Sequence, residues 1–400
     1  MATTRSTLKR TIKHSNKAIH SLYEFFSLVE DPRKKQGRRH ELAPILAMTV
    51  IGMLQGADSM AKLERVLNHA PLRKRMEREF GLKHGIPSHD TFSRAIAWIE
   101  SGVLALLLEA WVTELIGEYE GHYAVDGKSV NASTRKNEEH SKPPYVLNSF
   151  SPQHKLVVSM RKIGDKTNEM PEMKHFLPTL HLNGSLITAD AAHTHNHIMK
   201  QITDAGGHYF FCVKENRKLL RKELEFVFNE GRQKGIIRKH RFEVNRDRYE
   251  TRDFEIAGVK DFWKIPERVA EAGFVTVGRV TRYTERLYTS GRIRSNSEEV
   301  MYYISDEELS ADEFIDRCRC HWAIENTLHY VLDERFNEDR STARRCNAVE
   351  NLAALRRIAF NLYQIEQSGK NVRLDPEYFM VDCNSTMKLI LQPQSCPKIN

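Results

Sequence analysis

The chain has 400 residues, of which 40% are hydrophobic, 28% charged and 9% aromatic, a composition that excludes a single small module and a disordered chain. Lys and Arg outnumber Asp and Glu by 61 to 53, and the formal charge of +8 favours a polyanionic partner, either nucleic acid or an anionic membrane surface. The longest apolar run, Leu42 to Leu54, contains Pro44 and falls short of the ~20 residues a membrane-spanning helix needs, so no membrane-spanning helix is expected.

The opening segment MATTRSTLKRTIKHSNK is basic but lacks the apolar stretch of a secretory signal, and the protein is expected to stay in the cytosol. Apolar residues recur at helical spacing from Ile19 to about Gly117, with Pro and Gly confined to the breaks, which predicts an all-α module. Within it, Ser88 is placed to cap a helix whose apolar face is Phe92, Ile96 and Ile99. Entered from a Gly/Pro turn, that helix resembles the second helix of a helix-turn-helix; a plain packing helix fits the same pattern. The basic run Arg33, Lys34, Lys35, Arg38 and Arg39 is either a solvated surface or a set of phosphate contacts.

At His122 the pattern changes to short strands: 122–126, 145–150, 155–163, 185–190 and 208–214. Helix-compatible stretches at 169–180 and 193–205 separate the later ones. Three consecutive strands followed by α, β, α, β is the order of the RNase H-like α/β fold. Further strand-like runs between about 236 and 305 read as a β-rich insertion. A long helix is predicted from Ala311 to Leu332 and another from about Ala348 to Gln364. The six cysteines, at 212, 318, 320, 346, 383 and 396, are too scattered for a disulfide framework and are expected to be reduced.

Asp126 and Asp190 each close an apolar strand. An aspartate there commonly starts a turn; two of them at the ends of core strands can instead share a crevice, where their repulsion calls for a cation. On the helix from 311 to 332, Phe314, Cys318, Trp322, Glu325, Leu328 and Leu332 recur every three or four residues, which predicts that Glu325 faces inward. It then either pairs with Arg319 or His321, or supplies a third metal ligand. Asp333, Glu334, Glu338 and Asp339 read as solvated. Oxygen donors favour Mg²⁺ or Mn²⁺, and two such ions activate an attacking hydroxyl and stabilise a leaving oxygen in phosphodiester chemistry. Lys128, Lys214, Arg248 and Arg252 are candidates for holding phosphates. His193, His195 and His197 invite a zinc reading, but alternate residues on a helix lie ~200° apart and do not converge. No GxxxxGK[ST] loop occurs, so no nucleotide cofactor is expected.

Taken in order, DPRKKQGRRHEL, PSHDTFSR, VDGKS, KTNEM, ITADA, VKEN, YETR, HWAIENTLHYVLDERFNED and RRIAFNLY resemble the H-repeat-associated insertion-sequence transposases, a bacterial branch of the DDE superfamily. The resemblance runs from about Leu22 to Tyr363. It implies that Asp126, Asp190 and Glu325 are the catalytic and metal-binding acids. It further implies cleavage of double-stranded DNA at element ends, joining of 3′-OH ends to target DNA, and a homodimer in the synaptic complex, acting at the bacterial nucleoid. The chain departs from the family pattern after DGK, where it reads Ser129-Val130-Asn131-Ala132-Ser133, at His195, and at Arg246-Asp247-Arg248 before the ETR segment. These differences touch side chains that handle substrate, and they keep two alternatives open: a domesticated DNA-binding protein and a hydrolytic nuclease. The expected organisation is a helical DNA-binding-associated domain over 1–118, an RNase H-like DDE catalytic domain over 119–365 with its β-rich insertion at about 236–305, and a tail over 366–400.

Overall fold

The computed structural model describes residues 19–133, 143–163, 169–190, 195–214, 217–230, 236–245, 248–261, 273–288, 293–371 and 373–395. His193, Cys396, Arg246, Asp247, the basic residues before Ile19 and much of the KTNEM motif lie outside the described residues. The chain divides into two compact units, one drawn from the spans Met1–Tyr119, Asp126–Asn168 and Ile324–Asn400, the other from Glu120–Val125 and Glu169–Ala323.

The first unit begins with helices α1 (Leu22–Ser27), α2 (Leu42–Leu54), α3 (Met60–Leu67), α4 (Ala70–Glu79), α5 (His89–Trp98) and α6 (Val103–Ile116). Ser21 starts α1 through a capping box with Glu24. Ser88 caps α5 by accepting from the Thr91 amide, and Phe92, Ile96 and Ile99 are buried, as the sequence pattern predicts. All of α2 except Ala43 is classed as buried, the mark of a helix apolar all round. After strands β2 (Tyr145–Ser151) and β3 (Leu156–Ile163), which form an antiparallel hairpin, the unit resumes at Ile324 and carries the long helix α12 (Ala348–Gln367), buried from Ala348 through Gln364. Two short helices, α13 (Pro376–Val381) and α14 (Cys383–Leu391), follow; both fall in the stretch expected to be a tail.

The second unit is built on a sheet. Strand β1 (His122–Ser129) runs parallel to β4 (Leu186–Ala189), with Val125 opposite Ala189, and β4 runs parallel to β5 (His208–Val213). Strand β5 is antiparallel to β9 (Ile293–Ser305), and β8 (Thr276–Leu287), β7 (Arg248–Gly258) and β6 (Ile237–Asn245) continue the sheet outward. The β-rich insertion is therefore no separate layer; its last strand hydrogen-bonds directly to β5, Phe210 opposite Ser305. Helices α7 (Glu169–Phe176), α8 (Asn196–Asp204), α9 (Lys218–Glu230) and α10 (Ala311–Ala323) lie along this unit's chain. The rings of Phe210 and Tyr303 stack at 5.1 Å and the Phe314 ring meets Phe210 edge-on, with no side chain at Gly278, where a Cβ would overlap Phe314. A hairpin followed by parallel strands alternating with helices is the RNase H-like α/β fold, preceded here by an all-α region.

Candidate metal centre

Asp126 does not close its strand as expected: β1 runs on to Ser129, and Asp126 is the first residue beyond the stretch of β1 that pairs with β4. Its Oδ1 accepts a hydrogen bond from the Gly127 amide at 2.8 Å, while Oδ2 faces the His329 ring. Gly127 is required for close approach: a Cβ there would overlap the Tyr145 ring.

The helix carrying Glu325 is not the uninterrupted α-helix that its spacing predicts. After α10 the chain runs as a π-helix from Ile324 to His329 before α11 (Tyr330–Glu334). The wider π turn shifts the phase of the apolar stripe, so Ile324, Leu328 and His329 are buried while the Glu325 side chain is 51% exposed. The expected inward-packing Glu325 is corrected accordingly, and so is its expected pairing. Arg319 bonds Glu243 and His321 lies 3.2 Å from the Thr188 hydroxyl, whereas Glu325 Oε2 lies 3.2 Å from Nδ1 of His329. The same nitrogen is 3.6 Å from Asp126 Oδ2. One ligand atom from each of Asp126, Glu325 and His329 falls within a 4.8 Å span, the one such group among the described residues. His329 Nε2 is buried without a hydrogen-bond partner.

Lys128 Nζ is buried and lies 2.7 Å from Asp333 and 3.2 Å from Asp339, so its charge is already paired. Burial raises the Asp333 pKa above the ordinary carboxylate value even though Lys128 opposes the shift. The acids expected to be solvated divide three ways. Glu334 is exposed, Asp333 and Asp339 hold Lys128, and Glu338 is fully buried against the equally buried Arg357. Burial opposes the Glu338 charge, and Arg357 and Arg356 overcome it, so its pKa is lowered. Arg357 Nε also donates to Asn148 Oδ1 at 2.8 Å, which locks this ion pair to β2.

In the second unit, Asp190 follows β4 and its Oδ1 lies 2.9 Å from Lys214 Nζ at the end of β5. Burial works against the Lys214 charge, but the hydrogen bond and charge of Asp190 raise its pKa. Arg248 and Arg252 both face the buried Glu250 on β7. Arg33 donates from Nε to Asp31 at 2.9 Å and Arg38 lies 3.2 Å from the same carboxylate, while Lys34, Lys35 and Arg39 are exposed. The rings of His195 and His197 stack at 5.7 Å and join no three-residue ligand group among the described residues. Cys212, Cys318, Cys320, Cys346 and Cys383 are free thiols. No single helix among the described residues is long and apolar enough to cross a membrane.

His329 is absent from the residues singled out by sequence, although its spacing of four from Glu325 was a usable signal, since such pairs meet on a helix. The buried pair Glu338–Arg357 left no local trace.

An acid on β1 and a glutamate of the π turn, with an imidazole between them, stand in a chain whose sequence matches a DDE-type transposase family. The family described as the transposase DDE domain matches residues 120–362, and its DDE_Tnp_1-associated companion matches 23–112. The chain belongs to this transposase family. It is 28% identical over 360 residues to the "Putative transposase YncI" of Escherichia coli O157:H7, spanning 86% of this chain and 87% of that one. It is 27% identical to the "H repeat-associated putative transposase YhhI" of Escherichia coli K12, spanning 86% and 90%. A looser likeness, with a TM-score of 0.42 and 11% identity over 96% of this chain and 76% of the other, is to a piggyBac transposase synaptic complex with hairpin DNA. The resemblance to the H-repeat-associated transposases drawn from the sequence motifs is thus borne out.

Proposed function

We propose that this chain is a metal-dependent DNA transposase that cleaves DNA at the ends of an insertion sequence and joins the freed 3′-OH ends to target DNA. The observation that carries the reading is the convergence of Asp126, Glu325 and His329 in a chain of the DDE family. Two carboxylates and an imidazole suit a divalent cation, with Mg²⁺ or Mn²⁺ favoured by the oxygens and the imidazole shifting preference towards Mn²⁺. Nδ1 of His329, the ring nitrogen that faces both carboxylates, is the atom placed to join them as a ligand. Asp190 enters as the further acid from its strand-end motif.

Such ions, when bound by these residues, would activate the attacking hydroxyl and stabilise the leaving oxygen. The chain's own part is positioning. The Gly127 amide aims the Asp126 carboxylate, the π turn presents Glu325 at the surface, and Lys128 ties the Asp333 and Asp339 side chains together two residues from Asp126. The exposed Lys34, Lys35 and Arg39, with Arg33 and Arg38, supply phosphate contacts, and Lys214, Arg248 and Arg252 add cations on the second unit. Synapsis of two element ends calls for two copies of the chain.

Purified protein incubated with its element's end DNA should nick and join it in Mg²⁺ or Mn²⁺ and do neither in EDTA. Asp126→Asn, Asp190→Asn and Glu325→Gln should each abolish cleavage and leave DNA affinity nearly intact. Near-normal cleavage by any one removes that residue from the reading, and cutting without joining identifies a hydrolytic nuclease instead.

A further inference from the structure

The loop from Pro32 to His40, the stretch around His84 and helix α5 line a half-open cavity of about 710 Å³, within the range of small-molecule sites. Its lining includes Arg33, Lys34, Arg38, Arg39 and Arg94, and no carboxylate among the described residues. Behind it, Asp31 serves both Arg33 and Arg38, one acid for two guanidiniums, and fixes both side chains with little exposure. That leaves Lys34, Arg39 and Arg94 uncompensated on the cavity side. The interior field is positive: burial together with the charges of His84, Arg33 and Arg39 lowers the pKa of His40. The amino terminus of α5 is not the anchor for an anion, since Ser88 takes the Thr91 amide and Glu64 takes the His89 amide at 2.9 Å.

Trp98 supplies the second half of the recognition. Its neighbours on α5, Phe92, Ala95, Ile96 and Ala97, are buried, whereas Trp98 is 49% exposed and forms part of the cavity wall. Phosphate contacts along a duplex need cations on an open surface and no aromatic wall. A half-open basic cavity with a half-exposed indole in its wall fits a ligand that is anionic at one end and a flat ring at the other. We propose that this cavity takes an unpaired nucleotide of a DNA strand, its base stacked on Trp98 and its phosphates held by Arg94 and the Arg33–Arg39 loop. The proposal rests on the transposase reading, under which strand ends are substrate, and assigns the helical region a means of distinguishing a frayed or single-stranded end from intact duplex.

The test is binding in EDTA, so that no cleavage intervenes. Fluorescence anisotropy compares a blunt duplex with the same duplex carrying a three-nucleotide single-stranded extension. The wild type should prefer the extended duplex. Trp98→Ala should lower affinity for it about tenfold, the order of one base stacked on an aromatic side chain, while leaving the blunt duplex unchanged. Trp98→Phe should retain most of the preference and Arg94→Ala should reduce it. A deoxynucleoside monophosphate should compete at concentrations where inorganic phosphate does not. The proposal is overturned if the wild type shows no preference, if Trp98→Ala weakens both duplexes equally, or if phosphate competes as well as the nucleotide. Because the readout needs no metal, active Asp126→Asn protein would sink the metal reading and leave this result untouched.

Discussion

Nδ1 of His329 lies 3.2 Å from Oε2 of Glu325 inside a π-helical turn, and the same atom reaches to 3.6 Å from Oδ2 of Asp126. A buried imidazole thus sits between two carboxylates that belong to distant parts of the chain. Single π turns in otherwise α-helical segments occur often at functional sites, because they present side chains that a regular helix would aim elsewhere.

If His329 is a ligand or orients Glu325, then His329→Ala should weaken Mn²⁺ binding, measured by calorimetric titration, by about ten- to a hundredfold, as loss of a supporting group does at metal sites. DNA affinity in EDTA should not change. Unaltered Mn²⁺ affinity would show that the ring merely fills space beside the acids.

The buried pair Glu338–Arg357 makes a sharper stability prediction. Arg357→Met removes the hydrogen-bonded partner and leaves a carboxylate with no exposure and only the more distant charges of Arg356 and Lys128, at a cost of about 3 to 5 kcal/mol in urea unfolding. The double change Glu338→Gln with Arg357→Met should recover part of that loss, since no uncompensated charge remains. A double variant as unstable as the single one would mean the cost lies in packing.

Lys128 separates a structural cation from a phosphate-binding one. Lys128→Met leaves Asp333 and Asp339 facing each other without their shared counter-charge, so the melting temperature should fall. The slope of log K against log salt for DNA binding should stay as in the wild type, because a paired, buried ammonium displaces no counterions. A slope flatter by roughly 0.9 would restore Lys128 to the phosphate contacts.

The strands and the Ser88 cap were legible because each rests on a pattern within a few residues. What could not be read depends on phase or on long sequence separation. A helical stripe is counted at one period, so the π turn that turns Glu325 outward and His329 inward leaves no mark in the count. Lys128 and its partners are 205 and 211 residues apart, and Arg357 and Asn148 are 209 apart, so only folding reveals them. Helix α9 is a different case: Leu220, Leu224, Val227 and Phe228 repeat at helical spacing and are buried, and the signal was simply passed over.

The second unit should be acid-sensitive above the range where carboxylates titrate, and His122 is the reason. Its Nε2 lies 2.7 Å from the Thr188 hydroxyl on β4. Burial, followed by the positive charges of His321 and Arg317, lowers its pKa to about 3. In the unfolded chain it titrates near ~6.5. Between those values the unfolded state carries a proton that the folded state refuses, so stability is fully present above ~6.5 and declines as the pH falls towards 3. The slope contributed by this one group is at most about 1.4 kcal/mol per pH unit. Urea unfolding followed from pH 7 to pH 5 should therefore show a steady loss in the wild type, in a window where ordinary Asp and Glu remain ionised. His122→Gln keeps a hydrogen-bond donor for Thr188 and has nothing to titrate. It should flatten the dependence over the same window, even if it is somewhat less stable at pH 7. A variant whose stability falls in parallel with the wild type would assign the acid sensitivity to another group.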